Sequence, residues 1–265
     1  MNRTNRALVA VVAALMLTGA SASAATDTVT SVDTLPNLVP QPPTELEIGD
    51  VDEGEGKALR FDSTIANEGE FAFELVGRPE SIASAGDSTA EQCIAWAGPR
   101  ACTERKSIGT LAYHDEHGHY HFEDFALYEL RRFKKNGMPD MRKRGLVARS
   151  DKVSFCLQDV QAHRDNGPLY AAPWPLYYAC LAGQGVQGIS PGWLDIYGSG
   201  TTGQQIPLNG IPDGTYALVI HTDPGGRVFE TNDHDNVAVT GVTLSEEGKK
   251  FSIVCKSTPG TLGCR

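Results

Sequence analysis

No CxxC pair occurs in the 265 residues, which disfavours a zinc ribbon or a thioredoxin-type redox site. Beyond the N-terminus no apolar run is long enough to cross a bilayer, which needs about 20 residues. Positive charge is in deficit: 23 Lys+Arg stand against 33 Asp+Glu, a net charge of −10. That balance argues against a sequence-independent grip on nucleic acid phosphates. There is no internal repeat and no low-complexity block, so solenoid and array architectures are not indicated. What is present is a 40% apolar composition, enough for a sizeable core. The 28 Gly and 15 Pro are scattered rather than periodic. This spread favours many short strands and turns over long helices.

The N-terminus reads as a secretory signal peptide over residues 1–24. Arg3 and Arg6 form a charged start, Ala7 to Leu17 an uncharged apolar stretch, and Ala22-Ser23-Ala24 a small-x-small cleavage pattern. Cleavage after Ala24 removes two arginines and takes the net charge from −10 to −12. An exported acidic protein without integral membrane contact is expected. Its charge attracts cationic partners over distance, or simply maintains solubility. Six cysteines in an exported chain suggest three disulfides. Cys93 with Cys102 and Cys255 with Cys264 are close in sequence, which leaves Cys156 with Cys180.

Residues 25–265 read as one mainly β domain, a β-sandwich-like body with long irregular loops and few short helices. Ala58 to Ile65 and Phe71 to Val76 are strand-like, with a hairpin-like turn signal at Asn67-Glu68-Gly69. Residues 78–110 are polar and read as a loop. His119 to Phe133 reads as one long strand and Val153 to Leu157 as a short one, while Asn166 to Gly192 reads as an ordered loop around the core. Tyr216 to His221 and Asn236 to Leu244 form a closing hairpin. Arg131 to Lys152 holds nine Lys/Arg against Asp140 and Asp151, a basic contact patch or a solvated hairpin.

Four of the seven histidines lie within eight residues: His114, His117, His119 and His121. The last three share parity, so on an extended strand their imidazoles lie on one face. Three imidazoles two residues apart can converge on one ion; nitrogen donors suit Cu, Zn, Fe and Ni. Three protein ligands leave an open position, as a catalytic metal requires. His114 has the opposite parity and points away on an ideal strand, unless the chain bends before Gly118. Surface histidines with no specific role are the plain alternative.

The segment His114, His117, His119, Tyr120, His121, Glu123, Asp124, Phe125 resembles the copper-binding motif of the lysyl oxidase family. Two further segments resemble that family in the same order. Lys152-Val-Ser-Phe-Cys156-Leu-Gln-Asp159 is similar to the segment with its cofactor lysine. Gly188-Ile-Ser-Pro-Gly192-Trp-Leu-Asp-Ile-Tyr197-Gly198 is similar to the segment with its cofactor tyrosine. The resemblance extends over Leu38 to Leu244 and implies an exported, microbial-type copper amine oxidase. It implies copper on His117, His119 and His121, and a lysyl tyrosylquinone cofactor made from Lys152 and Tyr197. The implied reaction takes a primary amine, free or as the lysine of a protein substrate, to an aldehyde, consuming O2 and releasing H2O2 and NH3. The chain departs from the animal pattern in three places. Glu116 stands in place of a cysteine, Ala162 or a neighbour in place of another, and Leu127 in place of a histidine. The two lost cysteines would have bonded the equivalents of Cys156 and Cys180, which are left to pair with each other and tether the lysine segment near Tyr197. The proton-abstracting base is open among Asp159, Asp195 and Glu123.

Glu230, Asn232, Asp235 and Asn236 form a cluster of oxygen donors in a hairpin connection, of the kind that suits calcium. A similar segment of the lysyl oxidase family holds a structural calcium together with the start of the domain, here Asn37-Leu38-Val39-Pro40. Leu38 would contribute through its backbone. The alternative is a polar turn capped by Asx side chains.

Two motifs are rejected. Gly198-Ser-Gly200-Thr-Thr-Gly203 fits a dinucleotide fingerprint by letter, but Pro207 follows and no helix starts there. Gly188-Ile-Ser190-Pro-Gly192 fits a nucleophile elbow, but Pro191 has no N–H to donate. Two functions stand beside the amine oxidase: a three-histidine zinc hydrolase with Glu116 or Glu123 as base, and a non-catalytic extracellular metal-binding β module.

Overall fold

The computed structural model describes residues 34–78, 84, 86–98, 101–116, 118–163, 172–178, 180 and 185–264. The expected signal peptide, His117 and much of the expected 166–192 loop lie outside the described residues. In chain order the strands are β1 (Leu38–Pro40), β2 (Thr44–Asp50), β3 (Lys57–Asn67), β4 (Phe73–Val76), β5 (Ser88–Trp96) and β6 (Cys102–His114). There follow β7 (His119–Phe122), β8 (Ala126–Arg132), β9 (Leu146–Arg149), β10 (Gln161–Ala162), β11 (Val186–Ile189) and β12 (Trp193–Tyr197). The last four are β13 (Gln205–Pro207), β14 (Gly214–Thr222), β15 (Val237–Ser245) and β16 (Lys250–Lys256). A short 3-10 turn at Lys143–Gly145 precedes β9. The chain is mainly β, as its turn-rich composition implies, and no α-helix occurs among the described residues. No helix there is long and apolar enough to cross a membrane.

The strands form three antiparallel sheets. In the first, β3 is the spine: β2 and β13 flank its first half, β1 and β12 its second, and β10 extends β12. The second runs β11-β4-β5-β6-β7 and the third β16-β15-β14-β8-β9. All three contribute to one continuous core, with Phe61 from the first, Phe73, Leu111 and Phe122 from the second, and Tyr128, Leu218 and Val242 from the third. β14 shows how sequence sets this arrangement. Its period-2 alternation sends Tyr216, Leu218 and Ile220 into the main core. Ala217 and Val219 point to the other face, where they pack with Val239. Both faces are covered, so the strand reads as an unbroken apolar run.

Several expectations need correction. The polar stretch 78–110 is not a loop, because β5 and most of β6 lie in it and pair as a long hairpin clamped by Cys93–Cys102. Thr, Gln, Glu and Arg on a half-exposed sheet give little apolar alternation, so the period was hidden. The turn at Asn67-Glu68-Gly69 does not close a hairpin, since β3 and β4 belong to different sheets. Asn67 stitches the two instead. Its Oδ1 accepts from the backbone N–H of Asn37 and Gly69, and its Nδ2 donates to the carbonyls of Phe71 and Ile189. A side chain at position 69 would place its Cβ 2.4 Å from the nitrogen of Asn37, so glycine is required there. His119 to Phe133 is two strands, broken at Glu123 and Asp124, the latter at φ 55°. Val153 to Leu157 forms no strand; its one ladder contact is the isolated bridge Phe122 to Phe155. The closing hairpin is β14–β15, and the three disulfides are Cys93–Cys102, Cys156–Cys180 and Cys255–Cys264, as the spacing indicated.

Phe155 is 2% exposed and meets Phe125, Tyr128 and Tyr197 edge-on. Phe155→Ala is expected to cost about 3–5 kcal/mol by opening a cavity in this aromatic cluster, read as a lowered denaturant midpoint with an unchanged slope.

Candidate metal and cofactor site

The histidine segment is a hairpin, not one strand. β6 ends at His114 and the chain returns antiparallel as β7, with Gly118 at φ 68° just before it. The register sets His114 opposite His119 and Ala112 opposite His121. Directly opposed residues share a face, and so do residues two apart. His114, His119 and His121 therefore stand together: the chain bends before Gly118, the condition under which His114 joins the others. Parity along a single strand does not apply across a reversal. The His114 and His121 rings stack with centroids 4.2 Å apart. The Nε2 atoms of His119 and His121 are 3.0 Å apart. His117 lies outside the described residues, so the expected triad of His117, His119 and His121 is represented by two members.

Among the described residues, no group of three His, Cys, Asp or Glu is arranged to hold a metal ion. The His119–His121 pair nevertheless fits half of such a site. Two ring nitrogens at that separation can both lie about 2.0–2.1 Å from one point, the usual zinc–imidazole bond length. Imidazole nitrogen also suits copper. The Nδ1 of His121 lies 3.3 Å from Ser154 Oγ, which orients the ring from behind. His114 Nε2 is 3.5 Å from Glu123 Oε1, so Glu123 is turned towards the histidines.

The lysine segment is laced to the same hairpin through its backbone. Phe122 N–H donates to Phe155 O at 2.7 Å, Phe155 N–H to Phe122 O at 3.2 Å, and Phe125 N–H to Val153 O at 2.9 Å. These bonds carry Lys152 to the aromatic cluster. Its Nζ lies 5.1 Å from the Phe155 ring centre and 5.4 Å from that of Tyr197. Burial lowers the Lys152 pKa, and among the described residues no carboxylate forms an ion pair with its ammonium. Lys152 N–H donates to Ser150 Oγ, and the Ser150 hydroxyl donates to Gly203 O. Gly203, at φ 76°, packs against the Lys152 stem.

Tyr197 ends β12, where it pairs with Ser63 of β3. Its hydroxyl accepts from Cys156 N–H at 2.8 Å and donates to Cys156 O at 2.7 Å. Phe155 meets its ring edge-on at 4.9 Å. Burial, followed by the charge of Asp195, raises the phenol pKa well above its ordinary value. The disulfide from Cys156 to Cys180 fixes the residue that holds this hydroxyl. Lys152 and Tyr197, 45 positions apart in sequence, thus share one aromatic pocket beside the histidines.

The three candidate bases differ in their surroundings. Asp159 is saturated: it accepts from the N–H groups of Leu176, Tyr177 and Ser190 and from the Ser190 hydroxyl, a clasp between segments. Glu123 faces His114. Asp195 is 3% exposed, and among the described residues its Oδ1 has no hydrogen-bond partner, while the backbone of Gln158 and Ile196 meets the carboxyl. Two residues before Tyr197, it lies on the same strand face. Burial, with the Asp159 charge adding to it, raises its pKa well above the ordinary carboxylate range.

The second cluster joins the chain start to the β14–β15 connection. Glu230 Oε2 accepts from Leu38 N–H at 2.9 Å and Oε1 from Asn236 Nδ2 at 2.6 Å. Asn37 Nδ2 donates to Asp235 Oδ2 at 3.1 Å, while Asn232 Oδ1 accepts from His234 N–H. The Oδ1 atoms of Asn37, Asp235 and Asn236 are buried without a hydrogen-bond partner among the described residues. Burial pushes the Glu230 carboxyl up to about 8. Orphaned buried oxygens around a desolvated carboxylate are what a hard cation satisfies. Leu38 meets this cluster through its N–H, which is already donated to Glu230; Asn232 is exposed and engaged in an Asx turn.

An acid whose pKa is raised on folding keeps its proton in the native state while the unfolded chain ionises. Its stabilising contribution is complete below the unfolded pKa and is lost as pH rises towards the folded one. Asp195→Asn is therefore expected to flatten the decline in melting temperature of the chelated protein from about pH 4 upward, measured by thermal unfolding across pH.

A model of the lysyl oxidase family matches residues 92–255, well over half of the chain. The match begins later than Leu38, so the start of the calcium-like cluster lies outside it. Lysyl oxidase homolog 1 of Homo sapiens is 33% identical over 129 residues, covering 48% of this chain and 19% of that protein. Protein-lysine 6-oxidase of Homo sapiens is 32% identical over 126 residues, 47% of this chain and 26% of that protein. Lysyl oxidase homolog 2 of Gallus gallus is 32% identical over 126 residues, 47% of this chain and 14% of that protein. The chain thus spans about a quarter or less of the length of these three relatives.

Proposed function

We infer the function from one premise: the chain belongs to the lysyl oxidase family. We propose that it is an exported copper amine oxidase that deaminates primary amines, free or on lysine side chains, with a cofactor built from Lys152 and Tyr197. The observation that carries this reading is the position of Lys152 Nζ, 5.4 Å from the Tyr197 ring centre in a pocket laced to the histidine hairpin. His119 and His121, with His117, would hold copper, and His114 stands next to them. The quinone formed from Tyr197 and Lys152 would supply an electrophile that no natural side chain provides.

The chain's own residues prepare that chemistry in separate ways. Burial, with no carboxylate paired to it among the described residues, lowers the Lys152 pKa towards the neutral amine that can attack a carbon. The Cys156 peptide grips the Tyr197 hydroxyl from both sides and fixes the ring plane. Phe155 walls the pocket between the two reacting side chains and keeps water from it. Asp195 carries an unpartnered carboxyl oxygen on the Tyr197 side of the strand and is the base we favour, because Asp159 is fully occupied by hydrogen bonds. Three disulfides among the described residues agree with an oxidising compartment. We also propose that the cluster of Asn37, Leu38, Glu230, Asp235 and Asn236 holds a structural calcium, supported by its three orphaned buried oxygens. Asn232 is the weakest of the expected ligands.

Peptide mass spectrometry of secreted protein matured with copper in air tests the cofactor. The expected result is one peptide joining Lys152 to Tyr197, lost in Lys152→Arg and Tyr197→Phe. Both residues as free peptides in copper-loaded protein would instead favour the metal-binding module. For calcium, the melting temperature should rise on addition of the ion by several degrees, an effect on the order of 1–2 kcal/mol. Glu230→Gln should abolish that response, and identical melts with calcium and with chelator would exclude the site.

A further inference from the structure

The amine-oxidase reading leaves one strongly charged feature unused. Residues 131–152 carry nine Lys/Arg and two acids, whereas the rest of the chain carries 14 Lys/Arg against 31 Asp/Glu. The segregation is therefore against the overall charge of the protein. The structure folds most of these cations into one ribbon. β8 continues beyond Arg132 through the Phe133–Pro139 bridge, turns at Gly137 (φ 78°), and returns so that Asp140 N–H meets Arg132 O. The 3-10 turn at Lys143–Gly145 then leads into β9.

This ribbon is a built surface. Asp140, buried, accepts from Arg142 N–H, from Arg142 Nε at 2.6 Å and Nη2 at 2.7 Å, and from Arg144 Nε at 3.5 Å. The Arg142 and Arg144 side chains remain 58% and 70% exposed, so one inward acid orders two outward guanidinium groups. Arg132 Nη1 donates to Arg144 O. Gly145 permits the tight return: a Cβ there would lie 1.9 Å from Asp140 O. Arg132, Lys134, Lys135, Arg142 and Arg144 line a shallow groove, with Phe133 and Asp140 as its only other lining residues.

We propose that this groove docks an anionic polysaccharide, with the cations pairing its sulfate or carboxylate groups and Phe133 offering an apolar face to a sugar ring. Arg forks match planar or tetrahedral oxyanions, and the two lysines act as mobile point charges. The groove is lined by residues of the β8 end and of the return that leads into β9, and β9 ends three residues before Lys152. A docked polymer would hold the protein by a surface separate from its catalytic pocket. The proposal does not depend on the amine-oxidase reading.

Titration of the secreted mature protein with fluorescent heparin oligosaccharide and with polygalacturonate, over about 50–200 mM salt, tests it. Saturable binding to either polymer is expected, weakening roughly ten- to a hundredfold across that salt range. Binding to heparin alone assigns sulfate, and binding to polygalacturonate assigns carboxylate. Lys134→Gln with Lys135→Gln, both exposed and outside the bonds that Arg142 and Arg144 make to Asp140, should weaken binding about tenfold and reduce the salt dependence. Lys249→Gln with Lys250→Gln, at the β15–β16 turn, should leave it within about twofold. No saturable binding to either polymer would overturn the proposal. So would equal loss in both variants, or equally tight binding of single-stranded DNA of matched charge.

Discussion

The candidate site depends on a short backbone ladder. Phe122 and Phe155 exchange two hydrogen bonds, and Phe125 N–H adds a third to Val153 O. The segment they hold has no sheet of its own. Three bonds thus align a histidine strand, a lysine-bearing segment and, through Phe155, a tyrosine on a different sheet. The bonds lie within the aromatic cluster, where water cannot compete and a lost partner is costly. Cys156–Cys180 and the double hydrogen bond from Cys156 to Tyr197 then fix the far end of the same segment.

Burial here has a chemical consequence as well as a structural one. The same aromatic walls that stabilise the fold remove solvent from Lys152, Tyr197 and Asp195. Burial shifts all three against their charged forms, lowering the Lys152 pKa and raising those of Tyr197 and Asp195. The Glu230 cluster is the opposite case. Its buried oxygens exceed its donors, and the imbalance is what a cation offsets. The basic ribbon differs again, since its one buried acid is more than matched by arginines and the surplus positive charge faces solvent.

Much of this was legible residue by residue. The disulfide pairing followed from spacing, and the three cross-links agree with an oxidising compartment. The histidine, lysine and tyrosine segments were recognisable by residue type and order. What escaped were features set by partners distant in sequence. The β5–β6 hairpin is polar on its open face, so its alternation was too weak to register. Asn67 resembled a turn residue because its four hydrogen bonds to two sheets have no local signature. The face of His114 depends on whether the chain reverses before Gly118, and the strand pairing across that reversal decides it.

The sequence by itself determined the β-rich class, three cross-links, the supply of imidazoles and the order of the histidine, lysine and tyrosine segments. These are local properties, fixed by composition, period and spacing. Only the tertiary structure decided that Lys152 and Tyr197 face each other across Phe155. It alone separated Asp195, left with an unpaired oxygen, from Asp159, tied into a clasp. It also turned a run of basic residues into a groove organised by Asp140. Each of those outcomes depends on which buried polar groups find partners, and partners are chosen when sheets pack, not when strands form.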